Sequence, residues 1–165
     1  MFIKKGYKVV LIAGKDSFHG NFKNSKITKI FLPIDGRGMN PFLEIKTILS
    51  LYRFYKNIKT DLIMHFTIKP NIYGSIVCKI LNIKSISFVT GVGHIFLKKN
   101  SFFKNIIAII YKYALSSSKE VWFTNKFDKN LFIKNKIINK NTNVRIVPGA
   151  GVTFKKYPII SKRDD

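Results

Sequence analysis

Residues 61–85 read DLIMHFTIKPNIYGSIVCKILNIKS, and this stretch decides the fold. Asp61–Phe66 is a short apolar run and reads as a strand. Lys69-Pro70-Asn71 then opens a helix, because proline suits the first helical position, where no amide donor is needed. The helix spans Pro70–Leu81, and Asn82 closes it. Ser85–Thr90 (SISFVT) reads as the next strand. A strand, a helix and a second strand in close succession form the unit from which parallel sheets are built.

The same alternation continues in both directions. Toward the N-terminus, Tyr7–Ala13 (YKVVLIA) reads as a buried strand ending at Gly14, and Lys26–Leu32 as a second strand ending at Pro33. Asp16–Ser25 and Ile34–Asn40 read as loops, the first with a poorly formed helix as the alternative. Asn40 can cap a helix that Pro41 begins, and Glu44 favours its dipole. Apolar Phe42, Ile45, Leu49, Tyr52 and Tyr55 recur every three or four residues, which carries that helix to about Ile58. Toward the C-terminus come a loop over Gly91–Asn100, an apolar helix over Ser101–Leu115 and a strand over Glu120–Thr124. A helix over Lys126–Asn135 follows, with Asn125 as its cap and Asp128 three residues on. Val144–Val147 is the last strand, broken by Pro148-Gly149-Ala150-Gly151. The fold class is therefore α/β: a Rossmann-like, mainly parallel sheet with flanking helices and right-handed crossovers.

Composition narrows the functional classes. The 165 residues suit one domain or slightly more, and 46% hydrophobic with 14% aromatic content excludes a disordered chain. Cys78 is the only cysteine, so no disulfide framework exists. Val9–Ala13 is too short for a secretory h-region, and no apolar run is long enough to cross a bilayer. The net charge of +22 points to a polyanionic partner or to compositional bias, since Lys, Ile, Asn and Phe make up 81 of the 165 residues. With 26 Lys against 4 Arg spread along the whole chain, an anionic membrane face is favoured over nucleic acid, whose readers lean on arginine.

Parallel α/β sheets bind ligands beyond the carboxyl ends of their strands. Four strand ends carry unusual residues, and all four fall on one edge. After the third strand, His65 and Lys69 flank a turn that could hold a phosphate or a sugar hydroxyl; a core histidine and a solvated lysine are the alternative. After the fourth, Thr90-Gly91-Val92-Gly93-His94 lets backbone approach a ligand and aims His94 at the crevice, or is an ordinary turn. After the fifth comes Asn125. After the sixth, the segment over Gly149 and Gly151 reads as a hinge. Lys98, Lys99, Lys104 and Lys112 interleave with Phe102, Phe103, Ile106, Ile107, Ile110 and Tyr111, as a core helix with snorkelling lysines or as a membrane-surface helix. Cys78 reads as core, and the spacing of His and Cys offers no metal site.

HFTIKPNIYGS (His65–Ser75), GRGMNPFLEIK (Gly36–Lys46), TGVGHIF (Thr90–Phe96), VWFTNKFD (Val121–Asp128) and PGAGVTFKKYP (Pro148–Pro158) occur in order, and together they resemble family 4 glycosyltransferases of GT-B fold. The most similar subgroup builds bacterial O-antigen, capsule or protein-glycan precursors on undecaprenyl diphosphate. The resemblance implies two Rossmann-like domains facing across a cleft: an N-terminal one for the acceptor, and a C-terminal one that binds a nucleotide sugar, usually a UDP-sugar, and carries paired glutamates. It implies a retaining transfer of a hexosyl or N-acetylhexosaminyl group that needs neither metal nor cofactor.

It also implies an acceptor-side crevice holding His65, Thr67, Lys69, Asn71, Gly91, Gly93 and Asn125, with His94 near the reacting sugar. Gly149 and Gly151 would lead into the linker. Residues 1–152 would be a partial acceptor domain and 153–165 the start of the linker, with the donor domain absent and the chain alone inactive. The expected partners are a lipid-diphosphate-linked sugar and an anionic membrane, with the protein peripheral on its cytoplasmic face and no nucleic acid bound. The usual first strand is expected to be missing; in the order 3-2-1-4-5 it would lie between the Tyr7–Ala13 and Asp61–Phe66 strands and leave both with open edges. Thr153 for the usual Asp and His94 for the usual aromatic depart from the pattern. A sugar-nucleotide epimerase of similar fold and a basic binding module are the alternative functions.

Overall fold

The computed structural model describes residues 2–14, 26–32, 40–92 and 102–147, without the side chains of 102 and 103. The expected loops over 16–25, 34–39 and 93–100 and the hinge at 148–151 lie outside the described residues. The described residues form six strands: β1 (Val9–Gly14), β2 (Ile27–Leu32), β3 (Ile63–Phe66), β4 (Ser85–Val89), β5 (Glu120–Phe123) and β6 (Val144–Ile146). Among the described residues four α-helices accompany them: α1 (Pro41–Asn57), α2 (Ser75–Leu81), α3 (Phe102–Leu115) and α4 (Lys126–Lys134). The α/β reading is therefore correct, and every described strand pair is parallel.

Local chemistry sets the helix ends. The Asn40 side chain accepts from the amide of Phe42 at 3.0 Å, with Pro41 at the first position. The Asn125 side chain accepts from the amide of Asp128 at 2.8 Å, as its capping position requires. One expectation needs correction. Pro70–Leu81 is not a single α-helix; it opens with a π-helical turn over Pro70–Gly74 and becomes α-helical at Ser75. That turn is pressed against the sheet: a Cβ on Gly74 would fall 2.4 Å from the His65 ring, so only glycine fits there.

The described helices pack on one side of the strands. Leu51 and Tyr55 of α1 and Val77 and Cys78 of α2 form a buried cluster with Ile12, Leu32 and Ile63 against it. Tyr111, Ala114 and Leu115 of α3 and Phe132 of α4 form a second cluster with Val89, Val121 and Phe123. Successive right-handed crossovers in one direction produce this arrangement.

On α1 the periodicity holds but the face differs. Thr47, Leu51 and Tyr55 are buried, whereas Phe42, Ile45 and Leu49 are exposed. The Thr47 hydroxyl can go inward because it donates to the Leu43 carbonyl within the helix, at 2.9 Å.

The strands form two separate sheets, β1-β2 and β3-β4-β5-β6. Residues of β1, β2 and β3 contribute to the same cluster under α1 and α2. No ladder joins β1 to β3 among the described residues, and these are the two strands expected to flank the missing one.

Candidate functional site

The register of the parallel ladders fixes the edge on which the candidate residues meet. Phe66 pairs with Phe88, Val89 with Phe123 and Phe123 with Ile146, so the carboxyl ends of β3, β4, β5 and β6 lie along one border. For the described residues Lys69, Gly91 and Asn125 the coincidence read from the sequence is thus a spatial one.

The turn after β3 carries the densest chemistry. Thr67 has φ +69°, a left-handed conformation that costs a β-branched residue about 1–2 kcal/mol. Its carbonyl accepts from the Asn71 amide at 3.1 Å, which closes the turn. Lys69 Nζ stands 2.6 Å from Glu44 Oε1 of α1, and both side chains are largely shielded from solvent. Tyr73 hydrogen-bonds the same carboxylate, and burial together with that bond pushes its phenol up to about 12. One carboxylate therefore fixes both a cation and a phenol at the mouth of the turn.

Asn71 is fully buried. Its Nδ2 donates to the Phe88 carbonyl at 3.0 Å and to the Tyr111 hydroxyl at 3.4 Å, tying the turn to β4 and α3. Its Oδ1 is buried and has no partner among the described residues.

His65 is positioned otherwise than the sequence suggested. Its side chain is only 2% exposed and faces the helices, not the crevice. Nε2 lies 3.2 Å from the Tyr55 hydroxyl, and Nδ1 lies 3.2 Å from Ser75 Oγ. Burial lowers its pKa to about 4, so the imidazole is neutral at physiological pH. The hydrogen bonds continue from Ser75 to Ser87 at 2.9 Å and from Ser87 to Ser118 at 3.0 Å. The core-histidine alternative describes this environment.

In the neighbouring turn after β4, Gly91 borders open space: a Cβ there would meet nothing within 4 Å. Asn125 is on the edge after β5 but is engaged as a cap; its Nδ2 also donates to Asp128 Oδ2 at 3.1 Å. Gly93, His94, Gly149 and Gly151 lie outside the described residues, as do Lys98 and Lys99. Cys78 is buried, and burial pushes its thiol up to about 12, which suits a core residue and not a nucleophile. Among the described residues no group of three or more His, Cys, Asp or Glu is arranged to hold a metal ion. None of the described helices is long and apolar enough to cross a membrane. On α3 the core and surface readings divide by face: Tyr111, Ala114 and Leu115 are buried, while Ile106, Ile109, Ile110 and Tyr113 are exposed.

Sequence reasoning placed Lys69 on the correct edge but missed Glu44 and Tyr73 as its companions. Glu44 is 25 residues from Lys69 and had a sufficient local explanation at the start of α1. Only the packing of α1 beside the π-helical turn brings them together.

The family model for glycosyl transferase 4-like proteins matches residues 1–125. Among solved structures, a UDP-N-acetylglucosamine 2-epimerase is similar, with a TM-score of 0.53 at 10% identity. The match covers 85% of this chain and 48% of the epimerase, so the chain spans about half the length of that structure. No curated protein matches the sequence significantly.

Proposed function

The chain belongs to the glycosyl transferase 4-like family, and from that premise we propose that it forms the acceptor-binding part of a retaining glycosyltransferase. In this reading the acceptor is a sugar linked to a lipid diphosphate, and the donor is a nucleotide sugar, in the first place a UDP-sugar. The group transferred is a hexosyl or N-acetylhexosaminyl unit, as in the assembly of lipopolysaccharide, capsule or other surface glycans. The supporting observation is the meeting of a fixed Lys69 with open space at Gly91, on adjacent turns of one sheet edge. A diphosphate needs a cation that stays in place, and Glu44 holds Lys69 there. Thr67 and Gly91 follow the ends of β3 and β4 on that edge, where their backbone groups would meet a sugar in this reading. In this reading donor binding and the chemical step belong to a second domain facing this one.

The surface suits an anionic leaflet. Phe42 and Ile45 of α1 and Ile109 and Tyr113 of α3 are exposed apolar groups on helices that also carry lysines. We place the protein on the cytoplasmic face of the membrane on that basis. The likeness to an epimerase, at 10% identity, bears on the fold and does not move the reading.

Binding of a polyprenyl-diphosphate-linked N-acetylhexosamine in detergent micelles tests this, followed by Trp122 fluorescence or amide shifts. Lys69→Ala is expected to weaken binding by about tenfold or more, the scale of one charge-assisted hydrogen bond. Gly91→Val should also weaken it while leaving the fold intact, because the added atoms enter open space. Unchanged affinity in both variants would exclude this edge as the acceptor site.

A further inference from the structure

We propose that the chain carries a second anion site, on the edge of the sheet opposite the candidate acceptor crevice, which binds a ligand bearing a diphosphate or clustered phosphates. A cavity of about 560 Å³ opens where α3 and α4 end and where β5 and β6 begin. Among the described residues four lysines line it, Lys112, Lys119, Lys136 and Lys140, and no carboxylate does. Its size lies within the usual range for small-ligand sites and exceeds what a single phosphate fills.

The charge balance favours an anion even after the backbone is counted. Two helix C-termini face this region, and each contributes about −0.5 charge, against four ammonium groups. The neighbouring Glu120 offsets them only in part: its charge reaches Lys119, but Arg145 Nε is 2.7 Å from its carboxylate and the Trp122 indole donates to it at 2.6 Å. Lysines in a last helical turn are commonplace, but Lys136 is not explained that way. It sits past the end of α4 with φ +55°, where glycine or asparagine is the low-energy choice.

The polar wall is already arranged. The Asn139 side chain accepts from the amide of Asn141 at 2.9 Å and from the Thr142 hydroxyl at 3.3 Å, which fixes the loop before β6. Ser118 lines the cavity and ends the hydrogen-bonded chain that runs through Ser87 and Ser75 to the buried His65. A hydroxyl has one proton, so the direction of that chain follows the His65 tautomer. With the proton on Nδ1, His65 donates to Ser75, Ser75 to Ser87 and Ser87 to Ser118, which leaves the Ser118 proton for the cavity. An anion held there selects that tautomer, and Nε2 then accepts from the Tyr55 hydroxyl.

The test uses the whole chain with two probes that separate the source of the phosphates. One is inorganic pyrophosphate; the other is phosphatidylcholine vesicles containing cardiolipin. The variant K112Q/K119Q/K136Q/K140Q is compared with K4Q/K5Q/K56Q/K59Q, which removes the same charge elsewhere. At least one probe is expected to bind, with affinity reduced by about tenfold or more in the first variant and by less than about twofold in the second. Pyrophosphate binding assigns a free ligand, and binding of the vesicles alone a lipid headgroup. The bound probe should also shift the His65 ring nitrogens to the Nδ1–H pattern in 15N spectra, and Ser118→Ala should abolish that shift. Because the lysines are exchanged together, the single variant K140E provides the same comparison if the fourfold one fails to fold. Binding by neither probe, equal losses in the two fourfold variants, or an unchanged His65 spectrum on binding would overturn the proposal.

Discussion

Burial keeps His65 neutral, with its pKa near 4 instead of the usual value near 6.5. Its two ring nitrogens are taken by Tyr55 and Ser75, and Gly74 closes over the ring. A proton added in the folded state would have to enter this enclosed space. Between about pH 6.5 and pH 4 the unfolded chain therefore binds a proton at this residue and the folded chain does not. Stability contributed by the neutral ring is complete above that window and is lost as the pH falls through it, to a limit of about 3 kcal/mol. Only 8 of 165 residues are Asp or Glu, so the carboxylate background in this range is small. Urea denaturation midpoints should fall between pH 7 and pH 4.5 in the wild type and fall clearly less in His65→Gln. Parallel declines in the two proteins would mean that His65 is not the titrating group.

At the scale of elements, ends are written locally and faces are not. Asn125 caps α4 with one side-chain oxygen and steadies the buried Asp128 with its nitrogen. Asn125→Ala should cost about 1 kcal/mol, as loss of a helix cap does, and more if Asp128 is left without its donor. A chemical-denaturation series on this variant and Asn125→Asp checks it: the aspartate should retain the cap but lose the bond to Asp128 and set a second carboxylate against it, so it too should be less stable than the wild type.

Caps, prolines and strand lengths were legible because a few neighbouring residues decide them. The buried face of α1 was not, because a helix with apolar groups at 42, 45, 49, 51, 52 and 55 offers two stripes, and only contact with α2 chooses between them. The π-helical turn was hidden for the same reason. Pro70 announces a helix start, but the extra width depends on how close Gly74 comes to His65 across the fold. The Lys69–Glu44 pair was unreadable at a separation of 25 residues.

Across the whole molecule, the division into two sheets is the main structural weakness. One core ties β1, β2 and β3 together under α1 and α2, yet their backbone ladders do not meet. Open ladder edges are costly when shielded from water and adhesive when exposed to it. A melting midpoint below about 60 °C is expected on that account, within the ordinary range for mesophilic domains. The edge itself gives a sharper test. The Ile63 amide donates to the Lys84 carbonyl, so Ile63 faces β4. Donors in a parallel ladder alternate along the strand, which turns the amide of His65 toward β4 and those of Met64 and Phe66 toward the open side. Hydrogen exchange should therefore be slow at Ile63 and His65 and fast at Met64 and Phe66, although all four belong to one short strand. β1 should exchange faster than β4, whose residues are almost all buried. Equal protection at all four positions would show that another strand occupies the edge, from elsewhere in this chain or from a second copy. A concentration series would then separate those two cases, because only pairing between copies becomes stronger as the protein is concentrated.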